Sequence, residues 1–151
     1  MDFYTILKNL HSYNRYALLL VITFVLVRSL MGWLGKGRYE KLDSATGGAM
    51  LGLAHLQLLL GLILYFISPY AMKGSLDPLN LNRAWVVYFK MEHITAMIVA
   101  VALIQVGRTA SKRATDDVSK HKKVAIYTLI AVVLIVGTLA HKGLLLGNVP
   151  V

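Results

Sequence analysis

Residues 84–106, AWVVYFKMEHITAMIVAVALIQV, form an apolar run long enough to cross a bilayer, and Glu92 and His93 lie inside it. A helix rises about 1.5 Å per residue, so about twenty residues cover a hydrocarbon core roughly 30 Å thick. In lipid the backbone polar groups must be satisfied within the segment, which makes a run of this kind helical. Three comparable runs recur along the chain. Hydrophobic residues make up 57% of its 151 positions and the mean hydropathy is +0.63, both above an ordinary soluble domain. The pattern predicts an all-α fold, an integral membrane four-helix up-down bundle. It forms one domain over 1–151, with helices at about 4–31, 45–67, 84–107 and 123–146.

Local signals set these limits. Phe3, Ile6, Leu7 and Leu10 stand at helical spacing, so the first helix begins ahead of its apolar core. No small-residue cleavage site follows it, and the segment is expected to be retained. A loop with Gly32, Gly35, Gly37, Lys36 and Asp43 ends it, flanked by Trp33 and Tyr39 at headgroup level. The second helix stops at Ser68-Pro69, where proline cannot extend it. Its Gly48 and Gly52 form a small-xxx-small pair suited to a close helix neighbour or to none. The connection 68–83 has turn chemistry and enough length to fold over the bundle mouth. Residues 108–123 read as a polar loop containing His121. The apolar Leu144, Leu145 and Leu146 extend the last helix to about 146.

The formal net charge of +9 does not indicate nucleic acid, because the basic residues sit in short loops and form no stripe interleaved with aromatics. The two loops that share one membrane face hold Lys36, Arg38, Lys41, Lys112, Arg113, Lys120, Lys122 and Lys123. The opposite face has Lys8, Lys73, Arg83 and Lys142 in clear loop positions. The positive-inside rule therefore places both termini on the outer side. The chain has no cysteine, which excludes disulfides, iron–sulfur clusters, thiolate zinc sites and c-type haem attachment.

Ionisable residues at membrane depth are functional candidates. His93 lies eight residues inward of Trp85, about 12 Å below the outer interface by the helical rise. His11 enters from the same side, with Arg15 about one turn deeper. In an up-down bundle the first and third helices are diagonal, so His11 and His93 can face each other across the interior. Two imidazoles at similar depth across an apolar gap are what a bis-histidine haem b requires, and His11 and His93 are its candidate iron ligands. His55, about 21 Å below Pro69, is the reserve ligand. His141 sits near the outer end of the last helix. Zinc or copper is less suited, because no H-x-x-x-H pair gathers ligands on one helix. Arg15 and Glu92 fall at similar depth and are expected to pair between helices 1 and 3, or Arg15 to meet a haem propionate. Gln57 is a helix–helix hydrogen-bond candidate.

HSYNR at 11–15, HLQLLLGLILY at 55–65 and MEH at 91–93 resemble small four-helix bacterial membrane proteins labelled cytochrome B, over most of the chain. A more distant likeness is to one half of haem A synthase, where a four-helix bundle carries haem-ligating histidines on its first and third helices near the outer surface. His11 and His93 match those positions. The chain departs from that family in having one bundle and no E-x-x-H-R glutamate ahead of His11, so only the haem-holding geometry carries over. The resemblance implies a b-type cytochrome of the bacterial inner membrane. It would act in electron transfer within or beside a respiratory or quinol-linked complex, as an electron-transfer or accessory subunit rather than a stand-alone enzyme. The competing readings are a haem-free accessory or assembly subunit, and a small proton-coupled transporter using Glu92 and His55.

Overall fold

The computed structural model describes residues 2–145. They are all-helical, with no strand among the described residues. Four helices are long and apolar enough to cross a membrane: α1 (Phe3–Leu34), α2 (Lys41–Ile67), α3 (Arg83–Lys112) and α4 (Asp117–His141). Each helix packs on its neighbours in sequence, and α4 closes the ring against α1. The expected up-down bundle is present, and α1 and α3 are diagonal.

The helix ends follow from capping chemistry. Asp2 and Asp116 each accept a backbone N–H at 2.8 Å, from Thr5 and Ser119, and so start α1 and α4. Glu40 and Asp43 form a reciprocal capping box at the start of α2. At the end of α1 the Gly37 N–H donates to the Gly32 carbonyl at 2.8 Å, with Lys36 in the left-handed region at φ 50. At the end of α4 the Leu144 N–H donates to the Leu139 carbonyl at 2.8 Å around Gly143 at φ 66. Leu144 then folds back, 3% exposed, against the core.

Two expected boundaries change. Residues 108–123 are not a loop: α3 runs through Lys112 and α4 starts at Asp117, because Asp116 is an N-cap. The last helix ends at His141 rather than near 146, because Gly143 supplies the left-handed stop. Residue 146 itself lies outside the described residues.

α3 is not uniformly α-helical. Tyr88–His93 form a π-helical segment, a feature that recurs at functional sites. Five residues turn an α-helix by about 140° beyond a full circle, which would set Tyr88 and His93 on different faces. The wider π turn brings the Tyr88 hydroxyl 3.4 Å from His93 Nδ1.

The interior is narrow. Leu18, Ile22 and Val25 of α1 meet Met50 and Ala54 of α2, Ala100 and Ile104 of α3, and Ala131 and Ile135 of α4. Only 11% to 33% of the apolar windows are buried, and Leu20, Met31 and Val133 point outward at 74%, 67% and 63% exposure. An apolar exterior of this extent is consistent with a lipid bilayer around the bundle. α3 and α4 come closest at Gly107, where an added Cβ would lie 2.6 Å from Tyr127 Cβ. Gly48 and Gly52 do not serve helix approach inside the bundle, since both are exposed and Gly52 has no neighbour within 4 Å.

Candidate functional site

His11 and His93 converge from the diagonal helices with ring centroids 6.4 Å apart and planes at 68°. They stand at the head of a cavity of 150 Å³ walled by Leu18, Leu19, Met97, Val101 and Ile104, with Gly61 of α2 beside the His11 ring. Counting its open mouth, the groove encloses about 1290 Å³ free of protein atoms. Tyr4, Lys8, Arg15, Tyr65 and Tyr70 are also among the residues that line it. The 68–82 connection folds over it as expected. Ala71 is 3% exposed, and Lys90 Nζ donates to the Met72 and Gly74 carbonyls at 3.3 Å.

Each imidazole is oriented by a neighbour. The Tyr88 hydroxyl, fully buried, donates to the Thr138 carbonyl at 3.0 Å. It therefore accepts from His93 Nδ1–H, which leaves the His93 Nε2 lone pair available. Phe89 packs edge-to-face on the same ring at 5.6 Å. On the other side Gln57 Nε2 donates to His11 Nε2 at 3.1 Å and to the His11 carbonyl at 3.0 Å, while its carbonyl oxygen accepts from Asn14 at 2.6 Å. Gln57 thus joins α2 to α1, the role expected of it. His11 Nδ1 and Arg15 Nε are buried without a partner.

Several expected placements are corrected. Arg15 does not pair with Glu92: its Nη2 donates to the Tyr16 hydroxyl at 3.0 Å and its guanidinium lies 4.7 Å from the Tyr16 ring centre. Glu92, 47% exposed, instead lies 3.8 Å from His141 Nε2. Within the π segment Glu92 is exposed, whereas the adjacent His93 lines the cavity. His55 is exposed on the outer side of α2 and does not line the cavity where His11 and His93 meet. His141 is exposed beside Glu92 and also lies outside the cavity.

His121 is the largest departure, since it is not a loop residue. It sits in the second turn of α4, 1% exposed, with Nε2 3.1 Å from the Arg38 carbonyl and its ring 5.0 Å from that of Tyr39. Gly32 is glycine because the His121 ring occupies the space its Cβ would need. Two arginines complete this end of the bundle. Arg28 makes a bidentate contact with Asp43 at 3.0 and 3.1 Å, and Arg108 is 8% exposed between Tyr39 and Ser44. The signal for Arg28 was its position at the end of an apolar run, where a charge needs a partner.

Among the described residues no three His, Cys, Asp or Glu gather, so the protein alone builds no metal cage. His11 and His93 would be the residues to hold a metal-bearing macrocycle, which brings its remaining nitrogen ligands itself; their 6.4 Å spacing at 68° is also that of an edge-to-face ring contact. The orphaned Arg15 Nε fits a ligand with acidic arms, whereas the orphaned His11 nitrogen is Nδ1, which carries the ring proton while Nε2 accepts from Gln57. Ligation through His11 Nε2 would displace one Gln57 N–H, which retains its bond to the His11 carbonyl.

Comparison with known proteins gives no significant match to any family model, curated protein or solved structure.

Proposed function

We propose that this four-helix membrane protein is a b-type cytochrome-like electron carrier that holds haem b between His11 and His93. The observation that carries the reading is the meeting of two imidazoles from diagonal helices in the lining of an apolar cavity that Lys8 and Arg15 also line. Bound haem would supply one-electron redox chemistry at the iron. The chain's own residues do the rest. Tyr88 holds His93 in the Nδ1–H tautomer and presents Nε2 inward. Arg15 and Lys8, which line the groove, would offer cations to propionate groups. Leu18, Leu19, Met97 and Val101 exclude water and so favour the less charged oxidation state. Exchange with a quinol or a respiratory complex in the same bacterial inner membrane, with both termini outside, fits a site near the surface rather than at mid-membrane.

A second reading has its own support. The Asn14–Gln57–His11 network ties α1 to α2 without any ligand, as a haem-free accessory or assembly subunit would need. A reduced-minus-oxidised spectrum of the purified protein separates the two. The haem reading expects an α-band that His11→Ala and His93→Ala each abolish and His55→Ala leaves intact. Absence of the band, or its retention in His93→Ala, would refute it.

A further inference from the structure

At the end of the bundle away from His11 and His93, Arg108 is an almost fully buried cation, 8% exposed. Its Nη1 donates to the Tyr39 hydroxyl at 3.0 Å, and its Nη2 donates to the Ser44 carbonyl at 2.7 Å and hydroxyl at 3.1 Å. All three acceptors are neutral. Among the described residues no carboxylate lies within salt-bridge distance of this guanidinium. Buried charges are ordinarily paired, because hydrogen bonds to neutral groups do not cancel the cost of removing a full charge from water. The two acids nearest in the fold are committed elsewhere: Asp43 to Arg28 at 3.0 Å and Glu40 to the same arginine at 3.9 Å.

A cleft of 320 Å³ opens beside Arg108, between the loop that precedes α2, the end of α3 and the first turn of α4. Lys41, Lys112 and Lys120 stand around it with the Tyr39, Ser44 and Ser111 hydroxyls, and Glu40 is its one acidic residue. Lys120 shares its charge with Asp117 at 3.5 Å, whereas Lys41 and Lys112 are exposed. The cleft therefore combines an unneutralised buried guanidinium, flexible ammonium groups and hydroxyl donors, which is the chemistry that recognises a phosphate.

We propose that this cleft binds the phosphate of an anionic phospholipid headgroup, with Arg108 as its buried anchor and Lys41, Lys112 and Lys120 as its rim. A lipid is favoured over a free phosphate because the cleft lies where the bundle meets the membrane surface. At the same end of the bundle, Leu34 at the close of α1 and Leu42, next to Lys41 in sequence, are 74% and 49% exposed and offer apolar surface to acyl chains. Trp33, with Lys122 Nζ 5.7 Å from its ring centre, marks the headgroup level at the same end. Basic pockets between membrane helices hold anionic headgroups in this way. The site is independent of haem.

Delipidated protein in neutral detergent is titrated with phosphatidylglycerol or phosphatidylcholine and read by native mass spectrometry. Because Arg108 also ties α3 to α2, the test variant leaves it in place and combines Lys41→Gln, Lys112→Gln and Lys120→Gln. Phosphatidylglycerol should be retained over phosphatidylcholine. The triple variant should weaken that retention by about fivefold per lysine, on the order of a hundredfold in all. A parallel arm follows thermal unfolding with inorganic phosphate alone. Stabilisation by phosphate that depends on the lysines, without preference between the lipids, would overturn the lipid assignment in favour of a soluble anion. Equal retention of both lipids with no phosphate effect, or wild-type retention by the triple variant, would overturn the site.

Discussion

Replacing Gly32 by alanine tests whether His121 is the buried anchor of the loop end. The new methyl would overlap the His121 ring. That ring is 1% exposed, wedged beside Tyr39 and bonded to the Arg38 carbonyl, so it cannot swing aside without losing the 3.1 Å bond. Overpacking a filled site costs about 1–3 kcal/mol, and the lost hydrogen bond adds about 1 kcal/mol. Alanine in place of a helical glycine returns about 1 kcal/mol through backbone entropy. The net expectation is a loss of about 1–3 kcal/mol, measured by denaturant unfolding in detergent. The decisive comparison is the same substitution in a His121→Ala background, where the overlap is gone and Gly32→Ala should become neutral or stabilising by about 1 kcal/mol. An equal cost in both backgrounds would refute the assignment of Gly32 to the His121 ring.

Gly107→Ala should cost about 1–3 kcal/mol in the same assay, since Tyr127 Cβ at 2.6 Å moves only if α3 and α4 separate. Gly52→Ala, with open space around it, should be neutral or slightly stabilising. Lys36→Gly should raise stability by about 1 kcal/mol, because Lys36 occupies a left-handed position at φ 50 that glycine adopts without strain; an unchanged melting temperature would contradict this. Asp116 caps α4 in solvent, and its bonds from the Ser119 side chain and backbone hold its carboxyl below the usual value. A depressed folded value means that the cap's contribution is present above the ordinary carboxylate range and is lost as pH falls below about 4. Asp116→Asn should therefore flatten the loss of stability between about pH 5 and pH 3, seen by thermal unfolding at each pH.

The depth argument for His11 and His93 was legible because the helical rise converts sequence distance into depth, and interface aromatics such as Trp85 set the zero. The rotation of each residue about its helix was not legible in the same way. His55 and Gln57 are two residues apart, yet His55 faces outward and Gln57 bonds to His11. In a helix that is apolar all round, sequence polarity does not mark the inner face. The π segment compounds this, because it changes the phase of α3 where Glu92 and His93 lie. Arg15 and Glu92, counted to similar depth, do not meet.

The polar end misled for a different reason. RTASKRATDDVSKHKK has the composition of a solvated loop, but Asp116 as an N-cap turns its second half into helix and carries His121 inside. The capping residue was visible; its consequence for burial was not, because that depends on Gly32 of a distant helix leaving room.

By itself the sequence determined four helices long and apolar enough to span a membrane, their order and their up-down arrangement, since hydrophobic length and helical rise are local quantities. Only the tertiary structure decided which side chains share the interior. It pairs His11 with His93, moves Glu92 to His141, buries His121 and leaves Arg108 without a counter-charge. These outcomes depend on helix rotation and close packing, which arise between segments and not within them.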